Sequence, residues 1–359
     1  MRTSDFAYEL PADLIAQAPP PARSDARLLH LGPGGGTAHL GFADLPSLLR
    51  PDDLLVRNVT RVIPARVPAR KEAGGGRAEV FLLPGDEGPG GLLRALTRPA
   101  LRPGARLLAG EGDRVRLEVG TDLGGGQRQI RILSGAAGIL DLAEQAGRTP
   151  LPPYIRRDPE ASEGPDGTDR ERYQTVYARF PGSVAAPTAG LHFEPEMFGR
   201  LRERGIRVVD LVLHVGYGTF APVRVEDPRD HELAAERFFL PDATRRAVLA
   251  QLAEGRRVVA VGTTTVRVLE TPGVLESDGI AGSTSLLILP GHHFRVVSAM
   301  LTNFHLPGSS LLMLVAALGG RDAVLAAYRE AVRHRYRFYS YGDAMFVEKR
   351  RQDLTSRAP

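Results

Sequence analysis

The segment RRVVAVGTTTVRVLE, residues 256–270, is the clearest indication of architecture in this chain of 359 residues. Its first half is an apolar, β-branched run, which is typical of a buried strand. Gly262 and Thr263 stand at a turn, and the second half has the composition of a helix. A strand that passes through a glycine turn directly into a helix is the repeating unit of α/β folds.

Three further segments share this pattern of a β-branched run, a polar or glycine-rich loop and a predicted helix. They are SVAAPTAGLHFEPEMFGRLRERG at 183–205, RVVDLVLHVGYGTF at 207–220 and VVSAMLTNFHLPGSSLLMLVAALGG at 296–320. Additional helices are predicted over 242–254 and 322–334. Gly255 is the expected end of the first of these, and Gly205 and Gly319 are the expected ends of the helices in the segments 183–205 and 296–320. The pattern predicts a largely parallel or mixed sheet that is covered by helices on both faces.

Residues 64–150 have a different texture, because short β-like runs alternate there with glycine-rich turns. The predicted strands are 78–83, 91–97, 105–109, 114–120 and 129–135. Such spacing favours an antiparallel barrel or sandwich. The run DLLVRN at 53–58 predicts a strand of the α/β unit, so we expect a discontinuous α/β domain over 1–63 and 151–359, with 64–150 inserted. The inserted segment is basic overall, which suits contact with RNA.

Composition excludes several kinds of chemistry. The chain has no cysteine, which rules out disulfides, thiolate nucleophiles and cysteine-held zinc or iron–sulfur clusters. The net charge of +4 and pI of about 9.5 are compatible with a nucleic-acid partner without establishing one. Lys71 and Lys349 are the only lysines, so the excess of arginine indicates a coding bias as readily as RNA binding.

The chain has the character of a cytoplasmic protein. Its longest apolar stretch, near 311–318, is far shorter than the roughly 20 residues that cross a bilayer. The N-terminal segment MRTSDFAYELPADLIAQ contains early acidic residues and no continuous apolar run, unlike a secretory signal. We therefore expect a cytoplasmic location and, from the absence of an obvious apolar helix face, a monomer.

The loops that follow the predicted strands carry the candidate site residues. They contain Thr188, Gly190 and His192; His214, Gly216, Gly218 and Thr219; Gly262, Thr263, Thr264 and Thr265; and Thr302, Asn303 and His305. These residues supply free backbone N–H groups, hydroxyls and imidazoles that titrate near neutral pH. A single histidine after a strand is more often structural, but ligands of open α/β sheets bind at this edge, and we expect the loops to line one cleft.

Metal-binding and phosphate-loop patterns are incomplete. His231 and Glu232 begin an HExxH pattern, but Ala235 occupies the position of its second histidine. His292 and His293 are adjacent and do not easily ligate one ion from a regular element. The pattern GxxxxGK[ST] does not occur. No metal is predicted.

The C-terminal stretch REAVRHRYRFYSYGDAMFVEKRR interleaves arginines with aromatic residues. Arg333, Arg335, Arg337 and Tyr339 are the candidates for contacting phosphates and stacking on bases. A solvated helix face followed by a packed strand explains the same pattern equally well.

Taken together, these motifs resemble the S-adenosylmethionine:tRNA ribosyltransferase-isomerases of queuosine biosynthesis. The resemblance is carried by FAYELPADLIAQ (6–17), TRVIPAR (60–66), LPPYIRR (151–157), YQTVYA (173–178), GSVAAPTAGLHF (182–193), LHVGYGTFAPVR (213–224), VVAVGTTTVRVLE (258–270), TNFHLPGSSLLML (302–314) and YRFYSYGDAMF (336–346). It implies an α/β/α sandwich with a mixed sheet and an inserted antiparallel β-barrel. It also implies transfer and isomerisation of the ribosyl group of S-adenosylmethionine onto 7-aminomethyl-7-deazaguanine in tRNA, giving epoxyqueuosine with release of adenine and methionine.

This chemistry needs a base for the proton beside the sulfonium and assistance to departing adenine. We expect His192 or His214 to transfer protons, Asn303 and His305 to orient groups, and the Gly-Thr turns to cradle S-adenosylmethionine. At three positions the chain departs from the family pattern. Arg57 replaces a usual Asn, Ala235 a frequent His and Ser298 a common Asp. We expect the first to be a surface change.

Other functions compatible with the sequence make different demands. An S-adenosylmethionine-dependent RNA methyltransferase would share the ligands, but DLLVRNVTR lacks the glycine loop that normally follows its first strand. A non-catalytic RNA-binding module would need only the basic segments, and not the Gly, Thr and His turns. A metal-dependent hydrolase is the remaining alternative.

Overall fold

The computed structural model describes residues 1–88, 91–157, 168–220, 223–276 and 279–350, with only the backbone of Asp86, Thr219 and Phe220. The strands are β1 (Arg27–Leu31), β2 (Thr37–Gly41), β3 (Leu54–Asn58), β4 (Thr60–Val62), β5 (Arg66–Lys71), β6 (Arg77–Gly88), β7 (Leu92–Arg98), β8 (Arg106–Ala109), β9 (Val115–Gly124), β10 (Gln127–Ser134), β11 (Phe180–Ser183), β12 (Arg207–Leu213), β13 (Glu236–Leu240), β14 (Val258–Val261), β15 (Ile280–Thr284), β16 (Ala299–Asn303) and β17 (Ala344–Glu348). The α-helices are α1 (Leu45–Leu48), α2 (Ile139–Ala146), α3 (Asp169–Arg172), α4 (Pro195–Glu203), α5 (Asp242–Ala253), α6 (Thr263–Leu269), α7 (Ser310–Gly319) and α8 (Arg321–Arg333).

One large mixed sheet has the strand order β15-β13-β12-β3-β14-β16-β17-β1-β2. Its central strands β12, β3, β14 and β16 are parallel. β17 runs antiparallel to β16, with Ala344 opposite Asn303. The carboxyl ends of the four central strands and the amino end of β17 therefore meet at one edge. The predicted mixed α/β class is confirmed.

Helices cover both faces of this sheet. In β14, Val258 and Ala260 join the apolar cluster that includes residues of α5, α6, α7 and α8, whereas Val259 and Val261 join the cluster with α1 and α4. All four β14 side chains are at most 1% exposed. Burial on both faces explains why this strand is an uninterrupted apolar run instead of an alternating one.

The segment between β4 and α2 forms a second sheet in which every neighbouring pair is antiparallel. Its order is β10-β7-β6-β5-β8-β9, and β9 also pairs with β10, so the strands close into a ring. The five predicted strands fall within β6 to β10. β5 was missed, because its sequence RVPARK is largely charged and contains Pro68, and these features obscure a strand pattern.

Two details of the predicted strand–helix units are wrong. The run near Ser183 adds no strand to the large sheet, because β11 pairs with β4 in a separate two-stranded sheet. After β12, the described residues contain 3₁₀ turns and then β13, with no α-helix in between. The Gly- and Pro-rich sequence of this connection disfavours a helix.

The apolar stretch near 311–318 belongs to α7, whose residues are largely buried. Among the described residues, no single helix has the length and apolar composition to span a membrane. α7 and α8 meet these criteria only as a pair, and the chain bends by 115° between them.

Candidate active site

A cavity of about 440 Å³ opens at the edge where the central strands end. It is bordered by the segment after β11, the turn between β14 and α6, the end of β16 and the segment before β17. Of the predicted residues, Thr188, Gly262, Thr263, Thr264, Asn303, His305 and Tyr339 line it. Gly262 has φ 87°, a conformation that side-chain-bearing residues rarely adopt, and this allows β14 to turn directly into α6.

Asn303 is the hydrogen-bonding centre of the cavity wall. Its Oδ1 accepts from Thr188 Oγ1 at 2.9 Å, and its Nδ2 donates to the Tyr339 carbonyl and to His192 Nε2, both at 3.2 Å. The Tyr339 carbonyl can only accept a hydrogen bond, which fixes the amide orientation and makes His192 Nε2 an acceptor. Asn303 is 2% exposed, which makes it a rigid support for the wall.

His192 lies behind Asn303 and does not line the cavity. Burial, together with Arg23 and Arg337, lowers the pKa of His192 to about 3. The imidazole is therefore neutral near pH 7, with Nε2 unprotonated because it accepts from Asn303. The hypothesis that His192 transfers protons to a substrate is at odds with this position, and its contacts indicate a positioning residue.

His305 reaches the cavity directly. Its Nε2 lies 2.9 Å from Thr302 Oγ1, and its backbone N–H donates to Tyr328. The side chain is partly accessible from the cavity, but the surrounding protein desolvates it and lowers its pKa to about 3. A neutral imidazole thus faces the cavity at pH 7. The described residues that line the cavity include no carboxylate, lysine or arginine.

Two tyrosines form an aromatic wall. The rings of Tyr154 and Tyr339 have centroids 3.8 Å apart, and the Tyr154 hydroxyl hydrogen-bonds Ser340 Oγ. Burial raises the pKa of both phenols well above their usual range, so both remain protonated. Their faces offer stacking surface and their hydroxyls offer hydrogen bonds.

His214 and Gly216 line a second, smaller cavity of about 110 Å³. His214 Nδ1 lies 2.8 Å from Thr60 Oγ1, and the Gly216 N–H donates to Glu236 Oε1 at 2.8 Å. Burial, and then Arg237, lower the pKa of His214. Val215 borders both cavities and separates them. The prediction that all the loops line one cleft is therefore wrong for His214 and Gly216.

Gly190 and Gly218 do not line the large cavity. Gly218 lines neither cavity, and the side chain of Thr219 lies outside the described residues. Gly190 is required for packing, because a Cβ there would overlap the hydroxyl of Tyr177 and lie 2.9 Å from Thr175 Cγ2.

The predicted RNA-contacting residues are in different environments. Arg333 and Arg335 are exposed, and Arg335 Nη2 lies 2.6 Å from Asp13 Oδ2. Arg337 is partly buried and donates to the Ala18 carbonyl. Tyr339 belongs to the cavity wall. The intervening aromatics Tyr336, Phe338 and Tyr341 are at most 2% exposed and cannot stack on RNA bases.

Asn58 is a residue whose importance the sequence did not reveal. It is fully buried at the end of β3, where its Nδ2 donates to the Leu213 carbonyl at 2.9 Å and to Thr264 Oγ1 at 3.3 Å. Its Oδ1 accepts from the N–H groups of Thr60 and Leu213. Its position in the sequence could have indicated this role, because Asn58 ends the apolar run of β3 as Asn303 ends that of β16.

Arg57, one of the departures from the family pattern, is not a surface change. Its side chain is 17% exposed, and its guanidinium lies 4.4 Å and 4.3 Å from the ring centroids of Tyr177 and Phe198. Nε donates to Asp210 Oδ1 at 2.7 Å. Ala235 borders the small cavity, and the Ser298 N–H donates to the Val258 carbonyl.

Comparisons with known proteins agree with this architecture. The family described as "Queuosine biosynthesis protein" matches residues 3–347. The chain is 47% identical to an S-adenosylmethionine:tRNA ribosyltransferase-isomerase of Thiobacillus denitrificans, over 97% of this chain and 98% of the relative. It is 50% identical to one of Anaeromyxobacter dehalogenans, over 98% and 100%. The crystal structure of S-adenosylmethionine tRNA ribosyltransferase from Thermotoga maritima has 34% identity and a TM-score of 0.54, covering 96% of this chain and 99% of that one. The chain belongs to the queuosine biosynthesis protein family.

Proposed function

We propose that this chain transfers and isomerises the ribosyl group of S-adenosylmethionine onto 7-aminomethyl-7-deazaguanine at the tRNA wobble position. The products are epoxyqueuosine-tRNA, adenine and methionine. Residues 1–63 and 151–359 would form the catalytic α/β/α sandwich, and the ring of 64–150 an inserted barrel domain. The protein would act as a cytoplasmic monomer, and no metal is assigned to its chemistry.

The observation that carries the proposal is the large cavity with its neutral imidazole. A volume of about 440 Å³ suits a small-molecule ligand. The aromatic wall of Tyr154 and Tyr339 would stack on a purine or deazapurine ring. The hydroxyls of Thr188, Thr263 and Thr264 would bind the polar groups of S-adenosylmethionine.

His305, instead of His192 or His214, is the proposed proton-transfer residue. A base must remove a proton from the 5′ carbon, which the sulfonium acidifies, and His305 is the imidazole that lines the cavity. Desolvation disfavours the charged form, so His305 is a weak base before the substrate binds and relies on the sulfonium to acidify the 5′ proton. Once protonated, it would give the proton up readily to departing adenine. Asn303, which donates to His192, would position the Thr188 hydroxyl that it contacts.

The RNA would approach the cavity from the open side of the sheet edge at which the central strands end. Arg333 and Arg335 are exposed and remain the proposed phosphate contacts. Arg337 is partly buried, and Tyr339 would contact the base inside the cavity instead of binding RNA at the surface.

Incubation with S-adenosylmethionine and tRNA carrying the aminomethyl-deazaguanine base tests the proposal. We expect free adenine by chromatography and an epoxy-cyclopentane adduct by nucleoside mass spectrometry. S-adenosylhomocysteine would instead indicate a methyltransferase. Intact S-adenosylmethionine and unmodified tRNA, from protein shown to be folded by circular dichroism, would contradict the proposal.

A further inference from the structure

A histidine–glutamate–histidine group lies on the surface, away from the residues that line the large cavity. His39 belongs to the edge strand β2, Glu330 to the last turn of α8, and His334 follows that helix. One ligand atom from each of the three lies within 4.8 Å of the others. Glu330 and His334 are four residues apart and share a helix face.

Neighbouring groups hold the three side chains in place. Tyr336, 1% exposed, has its hydroxyl 2.9 Å from His39 Nδ1, while His39 Nε2 lies 2.8 Å from Glu330 Oε1. Thr37 Oγ1 donates to the other carboxylate oxygen of Glu330 at 2.9 Å. A hydrogen bond to the second ring nitrogen and one to the carboxylate are the features that orient metal ligands in proteins.

Access and ligand chemistry also suit a cation, and the guanidinium of Arg27 lines the same groove. His39 and His334 border an open surface groove of about 410 Å³, from which an ion and its waters can enter. Two imidazoles and one carboxylate favour Zn²⁺, Ni²⁺, Co²⁺ or Cu²⁺ over the oxygen-preferring Mg²⁺ and Ca²⁺.

We propose that His39, Glu330 and His334 form a surface site for a divalent transition-metal ion of the Zn²⁺ class. The ion would join β2 to the end of α8, with water completing its coordination. It would take no part in the ribosyl transfer, and would stabilise the folded chain because the site is assembled only after β2 and α8 pack together.

Titration of the tag-free, chelator-treated chain with Co²⁺ tests this site. We expect a saturable visible absorption band at one equivalent, its displacement by Zn²⁺, and a rise in Tm with Zn²⁺ but not with Mg²⁺. His39→Asn and His334→Asn should each weaken the affinity for Co²⁺ at least about tenfold.

The matched control is His30→Asn. His30 lies on the neighbouring strand β1 and pairs with Glu348 at 3.0 Å, but no third ligand joins this pair within the described ranges. This variant should bind Co²⁺ like the wild type. Absence of saturable binding, or unchanged affinity in both His39→Asn and His334→Asn, would show that the group is only a His39–Glu330 pair beside the tilted ring of His334.

Discussion

The loops after β12 and β16 begin at the same edge of the same sheet, but they lead to different surroundings. The loop after β16 brings His305 into the large cavity, whereas the loop after β12 places His214 in the small one. β4 and β11 make the difference, because they cover the end of β12 and bring Thr60 to His214. The position of a loop after a strand therefore does not establish which cavity it lines.

The largest expected effect distinguishes the two histidines. His305→Gln should lower kcat for adenine release by about 10²–10⁴-fold, because it removes the proton-transfer group. His214→Gln should stay within about tenfold of the wild type, equivalent to about 1.4 kcal/mol. Single-turnover assays at saturating S-adenosylmethionine measure both.

Thermal unfolding serves as the control, since a loss of activity is informative only in a folded variant. Equal losses in His305→Gln and His214→Gln would mean that both cavities serve the reaction. A larger loss in His214→Gln would reverse the assignment.

The sequence was most informative where local patterns determine structure. The apolar run of β14 and its glycine turn predicted a buried strand and α6, and both are present. β13 was missed. Residues 236–240 alternate between buried and exposed side chains in the structure, but the sequence ERFFL shows this alternation only weakly. Short strands of this kind depend on their partners for stability.

The composition of the site was less predictable than the fold. Thr264, Asn303 and His305 share the cavity as expected, because the parallel strands β14 and β16 bring their carboxyl ends together. The exclusion of His214 follows from the pairing of β4 with β11, whose residues are more than a hundred positions apart in sequence. No local pattern reports such a pairing.

The second effect concerns Asn58, which joins the end of β12 to the turn between β14 and α6. Asn58→Ala would leave the N–H and carbonyl of Leu213 without their side-chain partner, and each buried unsatisfied group costs about 1–3 kcal/mol. We expect the free energy of unfolding to fall by at least about 2 kcal/mol in urea titrations. Thr60→Val, which removes the contact with His214, should cost only about 1 kcal/mol. An Asn58→Ala variant as stable as the wild type would show that other contacts hold the end of β12 in place.

The third effect is the pH dependence of stability, to which His192 contributes from behind Asn303. The pKa of His192 is about 3 in the folded chain, below the ordinary value of 6.5, so between these values the unfolded chain binds a proton that the folded chain does not. Stability therefore decreases as the pH falls from 6.5 towards 3, by up to about 1.4 kcal/mol per pH unit for this group.

His192→Gln should remove this contribution, so that the free energy of unfolding changes less between pH 7 and pH 5 than in the wild type. Urea titrations at the two pH values measure the difference. His305, whose pKa is lowered to about 3 by burial, should make a parallel contribution, and the double variant should show a still smaller change. If the His192→Gln variant retained the full pH dependence, the imidazole of His192 in the wild type would be protonated in the folded state. Its Nε2 could then no longer accept from Asn303, and the support proposed for the cavity wall would be wrong.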